Sequence, residues 1–324
     1  MKLPSDAQDL DLIVASIATP GADIREIVLH AANGTTLPPF TAGSHIRVSL
    51  PGGTTNAYSL IDLDGDCAAP SGYRLAVRRD DGGAGGSKWM HDLAVGDSVK
   101  ARGPQNDFAL DQGTSPAILL AGGIGVTPLI SMATMLAQGA RDWRMVYAAR
   151  NADAAAYAST LAAQHGNRIG FHRDDEAGCP LAVADLMSQV TTDTHVYVCG
   201  PRAMIEATRH AAEAAGIPSD HIHTELFDTQ APQAGDQPFE IEIASSGQVF
   251  TVPAGKTIIE VLEENGVDVV YDCQRGDCGI CQTTVLDGIP DHRDVVLSDA
   301  ERAAGNVMQI CVSRAKSPRL KLDL

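Results

Sequence analysis

Apolar positions change their rhythm twice along this chain, and each change marks a different kind of building. Through the first hundred residues they come in short runs, at Leu12-Ile13-Val14, Ile27-Val28-Leu29, 45–50, 73–77 and 98–100, cut apart by Gly, Pro and Asp. Short strands with frequent turn residues and little helical spacing predict an antiparallel barrel. From Pro116 the runs become continuous. Ala117-Ile118-Leu119-Leu120-Ala121 has the pattern of a strand buried on both faces, and further strands are expected at 144–148 and 195–199. Ala-rich helical stretches such as 204–215 follow them, and alternating strand and helix predicts a parallel sheet with crossover helices.

The second change comes after 229–237, a stretch without apolar periodicity that is expected to be a linker. Beyond it, 239–244 and 248–252 alternate as a hairpin. Thr257 with Glu260 three residues on forms a capping box that opens a helix, and Gly266 closes it. Two strands, a helix and a cysteine-rich loop predict a small β-grasp domain. The expected division is therefore 1–112, 113–228, the linker 229–237, and 238–324, in keeping with a 324-residue chain too long for one core.

Charge narrows the partners. The net charge is −17 and the acidity is spread over all three segments, which argues against nucleic acid, whose binding rests on clustered Lys and Arg. No stretch reaches the roughly 18–20 apolar residues of a membrane span. The first ten residues lack the apolar core of a signal peptide. Seven cysteines, an odd number with scattered members at Cys67, Cys179 and Cys199, do not suggest a disulfide framework, and a cytoplasmic protein is expected.

The other four cysteines carry the sharpest chemistry. Cys273, Cys278 and Cys281 are spaced C-x4-C-x2-C, with Cys311 downstream, which is the spacing of a plant-type [2Fe–2S] cluster. Gly276 and Gly279 lie between them and let the backbone come close to the sulfides, because they lack Cβ. A structural zinc site is the alternative, but such sites usually pair two short knuckles, whereas Cys311 stands alone.

Two further motifs suit phosphate. Gly122-Gly123-Ile124-Gly125-Val126-Thr127-Pro128 follows a predicted strand and opens a helix, so its glycines admit a dinucleotide pyrophosphate while Thr127 caps the helix and Pro128 sits in its first turn. Gly85-Gly86-Ser87 precedes a short predicted helix from Lys88 to Leu93, and backbone N–H groups there form an anion site; a plain barrel turn is the alternative. Cys199-Gly200-Pro201 ends the third parallel strand, where ligands gather in open α/β sheets. A small buried thiol is the other reading of Cys199. Asp153, past the second strand, suits the 2′-hydroxyl of an adenosine ribose, and Arg150 nearby would suit a 2′-phosphate.

From Phe239 to Leu324, and especially through Asp291-His292-Arg293-Asp294 and Cys311-Val312-Ser313-Arg314, the chain resembles the ferredoxin domain of the phthalate dioxygenase reductase family, which includes vanillate O-demethylase reductases. That family runs flavin domain, nicotinamide domain, ferredoxin domain, and the resemblance extends over essentially the whole chain. It implies FMN as the flavin and NADH as the donor. It implies that Tyr58 packs on the flavin ring, with Ser59 near its reactive nitrogen. Asn56 stands where the family usually has Arg, leaving Arg79, with Arg78 second to it, to supply charge to the flavin phosphate. By the same resemblance Cys199 lies beside the nicotinamide, Glu225 near the hydride path, and Phe227 shields the flavin.

The expectation is an electron-transfer reductase serving a separate Rieske-type oxygenase, a monomer by default. A cytochrome P450 as acceptor, and a redox-responsive binding module, are the alternatives. Asp291–Asp294 is expected to be a solvated loop, with an acceptor-docking edge as its other reading.

Overall fold

The computed structural model describes residues 7–83, 85–227, 233 and 235–324, which fall into two compact units, Ser5–His223 and Thr224–Leu324. The expected linker lies partly outside the described residues, since 228–232 and 234 are not among them.

The first unit opens with six antiparallel strands, β1 (Gln8–Gly21), β2 (Ile24–Ala31), β3 (His45–Ser49), β4 (Thr55–Ser59), β5 (Tyr73–Arg78) and β6 (Ser98–Gln105), in the spatial order β4-β3-β6-β1-β2-β5. Inward residues alternate along them. Leu12 and Val14, Ile27 and Leu29, Ile46 and Val48, and Tyr73 and Leu75 are all buried in one core, as period-two side chains on the inward face of a sheet must be. Arg25 on β2 donates to the Leu93 carbonyl at 2.5 Å, so it satisfies the C-terminal end of the short helix α1 (Gly86–Asp92).

A five-stranded sheet follows in the same unit. Its strands are β7 (Ala117–Gly122), β8 (Trp143–Ala149), β9 (Ile169–Arg173), β10 (His195–Cys199) and β11 (Ile222–Glu225), in the order β11-β10-β7-β8-β9. The pairs β7–β8, β8–β9 and β10–β7 are parallel. Every residue of β7 and β10 is buried, which accounts for their unbroken apolar sequence. Helices α2 (Val126–Ala137), α3 (Ala158–His165), α4 (Asp174–Ala177), α5 (Val183–Met187) and α6 (Arg202–Ala214) make the crossovers. Almost all of α2 is buried, because it lies between this sheet and the loop that leaves β4.

The second unit is a five-stranded sheet with one helix across it. Strand β12 (Phe239–Ile243) pairs antiparallel with β13 (Val249–Val252) and parallel with β18 (Arg319–Leu322). Next come β14 (Gln282–Asp287) and β16 (Val307–Gln309), completing the order β13-β12-β18-β14-β16, with the short pair β15 (Pro290–Asp291) and β17 (Arg314–Ala315) outside it. Helix α7 (Ile258–Glu264) starts at Thr257 with the expected capping box and covers the core with Ile258, Ile259, Val261 and Leu262. A second capping box, Ser298 with Glu301, starts α8 (Asp299–Ala304). The three architectures expected from the hydrophobic rhythm are all present. Among the described residues no helix is long and apolar enough to cross a membrane.

Candidate redox site

The cysteine loop is built from unusual backbone. Gln274 has φ 55°, a conformation most L-residues avoid, and Gly276 has φ 80°. A Cβ on Gly276 would lie 2.6 Å from the Val312 side chain and 3.0 Å from the Asp294 backbone, so only glycine closes the loop here. The Gly276 carbonyl accepts from the Val295 amide at 2.9 Å. The Asp294 carboxylate, wholly buried, accepts from the amides of Val296 and Leu297.

This folding gathers the four thiols. The neighbouring Cys278 and Cys311 thiols pull the Cys273 thiol well below its ordinary range, and Cys273 in turn holds Cys278 and Cys311 well above theirs. Cys311 also draws the Cys281 thiol below its ordinary range. The Arg275 amide points at the Cys273 sulfur at 3.3 Å, an N–H donor suited to a charged thiolate. Cys273, Cys281 and Cys311 are buried and Cys278 is half-buried. Among the described residues no trio of His, Cys, Asp or Glu surrounds a point suited to a single metal ion. The donor set, four cysteine sulfurs at the C-x4-C-x2-C…C spacing, fits a two-iron cluster.

The loop around 291–294 is more structural than its charge suggests. Arg293 donates to both Asp236 carboxylate oxygens, at 3.0 and 2.6 Å, and to Asp291 at 2.9 Å, and His292 is largely buried. The expectation of a solvated loop is corrected here: the charges face one another rather than water. Asp277, next to Cys278, accepts from the Leu226 amide at 2.7 Å. That bond holds the segment carrying Glu225, which is buried, and Phe227, which is half-buried.

The barrel assembles the expected flavin residues around the start of α1. The Asn56 amide donates to the Tyr58 hydroxyl at 3.4 Å, and a Cβ on Gly86 would lie 2.3 Å from that amide. The helix begins at Gly86, two residues earlier than expected, because Gly85 at φ 95° turns the chain into it. Ser87 bonds the Asp80 backbone both ways, through Asp80 N–H at 3.0 Å and Asp80 C=O at 3.2 Å, tying the helix to the Arg79 segment. Arg79 itself pairs with Asp81 at 2.9 Å. Burial raises the Tyr58 hydroxyl above its ordinary range, so it stays protonated. The Ser59 hydroxyl is buried without a hydrogen-bond partner in the fold, as a donor awaiting a bound group would be. Directly across the strand pair from Ser59 is His45, also buried, with its Nε2 3.9 Å from Asp107.

The glycine turn after β7 divides its labour. A Cβ on Gly125 would sit 2.2 Å from the Cys199 carbonyl oxygen, and one on Gly122 would sit 2.6 Å from Pro201 Cδ and 3.1 Å from Gly200 Cα. These two glycines bring the ends of β7 and β10 into backbone contact. Gly123, at φ 55° with nothing within 4 Å of its missing side chain, is the one that faces open space. Thr127 does not cap α2 as expected. A short 3-10 turn, Gly123–Gly125, starts the helix early, so Thr127 and Pro128 lie inside its first turn and the Thr127 hydroxyl donates to the Ile124 carbonyl at 3.1 Å. Asp153 is exposed, and its side of the β8–α3 loop borders a cavity of about 610 Å³ that also reaches Tyr147, Phe171 and Arg173. Sequence reasoning missed Ser131 and Thr134, two buried hydroxyls three residues apart on the largely apolar α2. A pair of polar positions on a helix with no polar face was the available signal.

Comparison with known proteins agrees with this geometry. Residues 241–316 match the family of 2Fe-2S iron-sulfur cluster binding domains, and residues 97–222 match the N-terminal domain of dimethylamine monooxygenase subunit DmmA-like proteins. The chain is 40% identical over 316 residues to phenoxybenzoate dioxygenase subunit beta of Ectopseudomonas oleovorans, covering 97% of each. It is 41% identical over 322 residues to tetrachlorobenzoquinone reductase of Sphingobium chlorophenolicum (97% of this chain, 98% of the other), and 37% identical over 331 residues to phthalate dioxygenase reductase of Burkholderia cepacia, covering both in full. Among solved structures it superposes on phthalate dioxygenase reductase with a TM-score of 0.70 at 36% identity, over 98% of both chains. It superposes on full-length CYP116B46 from Tepidiphilus thermophilus with a TM-score of 0.76 at 33% identity, over 98% of this chain and 42% of that one. With full-length relatives at this identity and the expected order of barrel, parallel sheet and cysteine domain, the chain belongs to the phthalate dioxygenase reductase family of electron-transfer oxidoreductases, reductase components of oxygenase systems.

Proposed function

We propose that the protein takes a hydride from NADH onto a bound FMN and passes single electrons through a [2Fe–2S] cluster to a separate Rieske-type oxygenase in the cytoplasm. When bound, FMN would supply the step from a hydride's electron pair to single electrons, and a [2Fe–2S] cluster would supply one-electron delivery. The observation that carries this reading is the gathering of four thiols in one unit of a chain whose other unit joins a Tyr-Ser strand to a glycine-rich strand–turn–helix.

Each residue then has a task. Cys273, Cys278, Cys281 and Cys311 hold the irons, and the Arg275 amide steadies the charge on Cys273. Tyr58 offers a flat, protonated ring to the flavin, and the Ser59 hydroxyl is free to donate to it. Gly85, Gly86 and Ser87 present the start of α1 to the flavin phosphate, with Arg79 beside them. Gly123 opens the turn before α2 to the pyrophosphate, while Gly122, Gly125, Gly200 and Pro201 fix the turn's shape around Cys199. The cavity beside Asp153 takes the adenosine end, and Asp153 favours NADH through the ribose 2′-hydroxyl. Glu225 and Phe227 border the hydride path by family resemblance.

The acceptor is the least constrained part. Relatives of nearly equal identity are named for a dioxygenase, a quinone reductase and an O-demethylase. The first experiment is an anaerobic titration with NADH followed by visible absorbance, then EPR of the reduced protein. Flavin bleaching followed by a rhombic [2Fe–2S] signal is expected. A flavin that NADH leaves unbleached would reject the reading.

A further inference from the structure

We propose that Ser131 and Thr134 are positioning residues for hydride transfer, clamping the nicotinamide-binding helix α2 to the loop that leaves the flavin-binding strand β4. This rests on the reading of the two motifs given above. Ser131 Oγ donates to the Leu60 carbonyl at 2.8 Å and accepts from the Asp62 amide at 2.9 Å, so a single hydroxyl fills the gap of one strand pairing. One turn further along, Thr134 Oγ1 donates to the Asp62 carbonyl at 2.8 Å. All three bonds are buried, where a polar group left unpaired is costly and the geometry is correspondingly fixed.

The clamped segment is itself rigid. The Asp62 carboxylate accepts from the amides of Asp64, Gly65 and Asp66. A Cβ on Gly65 would lie 2.4 Å from the Gln138 amide, at the far end of α2. Leu60 directly follows Ser59, and Ser131 lies one helical turn beyond Thr127. The link from the flavin strand to the pyrophosphate turn therefore runs from the first three residues after β4 through two hydroxyls into one helix. Two ligands held by opposite ends of such a link have their separation set before either binds. Misplacement by about 1 Å can cost on the order of a hundredfold in rate.

The test is a set of conservative changes in the FMN-loaded, full-length protein. Thr134→Val keeps the shape and removes the hydroxyl, Thr134→Ser keeps the hydroxyl, and Ser131→Ala removes the stronger link. Anaerobic stopped-flow with varied NADH separates the limiting rate of flavin reduction from half-saturation. The long-wavelength charge-transfer absorbance of reduced protein with NAD reports how the rings face each other without turnover. Hydrogen exchange on the flavin-free protein reports the Asp62 amide.

We expect Ser131→Ala to lower the limiting rate roughly tenfold or more, to weaken the charge-transfer band, and to change half-saturation by less than about threefold. Thr134→Val should show a smaller loss of the same kind, and Thr134→Ser should restore it. Faster exchange at Asp62 should accompany Ser131→Ala. An unchanged band and limiting rate in both Ser131→Ala and Thr134→Val overturns the proposal, and so does a rate loss explained wholly by lost flavin. Should Ser131→Ala shed its flavin, the milder pair at Thr134 decides by itself. A wild-type flavin that NADH does not bleach is a separate result, which rejects the functional reading.

Discussion

On the proposed function the cysteine loop and the glycine turn after β7 would each hold a redox group, yet they are made of different material. In the loop the ligands are side chains, and the backbone contorts to aim them: Gln274 and Gly276 take positive φ so that four sulfurs meet. In the turn the binding surface is backbone, and side chains are removed so that two chain segments can touch: Gly125 leaves room for the Cys199 carbonyl. A site made of side chains fails by losing its chemistry. A site made of backbone fails by losing its shape.

The largest effect tests the first half of that contrast. Cys311→Ser should abolish the cluster's EPR signal and lower electron delivery to a one-electron acceptor by about a hundredfold or more, while NADH still bleaches the flavin. A retained cluster in that variant, measured by iron content and EPR, would place the fourth ligand elsewhere.

Gly125→Ala tests the second half. Gly125 has φ −62°, which alanine adopts freely, so the whole cost is the collision at 2.2 Å with a carbonyl that belongs to a central strand. We expect a loss of roughly 3 kcal/mol or more, as for overpacking between two fixed backbones, together with loss of NADH reduction. Gly123→Ala is its complement. There the space is open and the cost is about 1–2 kcal/mol for the left-handed conformation, so NADH half-saturation should suffer more than stability. Denaturant midpoints and NADH titrations on the two variants separate shape from surface, and equal behaviour would erase the distinction.

The same contrast explains what the sequence disclosed. Cys273, Cys278, Cys281 and Cys311 are legible because ligand spacing survives in one dimension. The alternation of strands and helices is legible because burial on both faces leaves unbroken runs such as 117–121. The strand Thr55–Ser59 carries too many polar residues for its rhythm to show, and only the Tyr-Ser resemblance marks it. Ser131 and Thr134 matter through backbone atoms some seventy residues away, and no local pattern records such partners. Asp291–Asp294 was misread for a related reason: Arg293 finds Asp236 across 57 residues, so a charge run that looks solvated is internally paired.

A milder perturbation reaches the shape of the parallel-sheet region through pH. His195 stacks between neighbours, with His221 at 4.1 Å between ring centres and a 3.0 Å hydrogen bond between its Nδ1 and His223 Nε2. His223 stacks on Tyr197 at 4.4 Å. Asp111, Asp220 and Arg141 are the other charges facing this group. Burial, and then the His195 charge, pushes His223 down to about 4. The folded state thus keeps His223 neutral while the unfolded chain takes up a proton below about pH 6.5, so stability is full above that pH and falls as pH drops toward 4. The loss should be on the order of 2 kcal/mol, and His223→Asn should flatten it. Urea midpoints at pH 7 and pH 5 check this, and an identical pH slope in wild type and variant would remove His223 from the account.

The smallest effect concerns a side chain that holds backbone in place. Tyr157 begins α3 at φ 61°, a left-handed conformation that costs a non-glycine residue about 1–2 kcal/mol. Its hydroxyl donates to Glu26 on the barrel strand β2 at 2.7 Å, and burial, then the Glu26 bond, keeps that hydroxyl protonated far above its ordinary range. Arg74 stands 3.8 Å from the same carboxylate, so Glu26 is not abandoned when the hydroxyl goes. Tyr157→Phe should therefore cost only about 1.5 kcal/mol, at the low end for a hydrogen bond to a charged group. Tyr157→Gly loses the bond and the ring but also the conformational strain, so its penalty should be less than burial of a tyrosine alone implies. If Tyr157→Phe instead costs as much as Gly125→Ala, the hydroxyl is part of the structure that keeps the β8–α3 loop and its cavity in shape. The backbone-built half of the molecule would then depend on side chains more than the contrast allows.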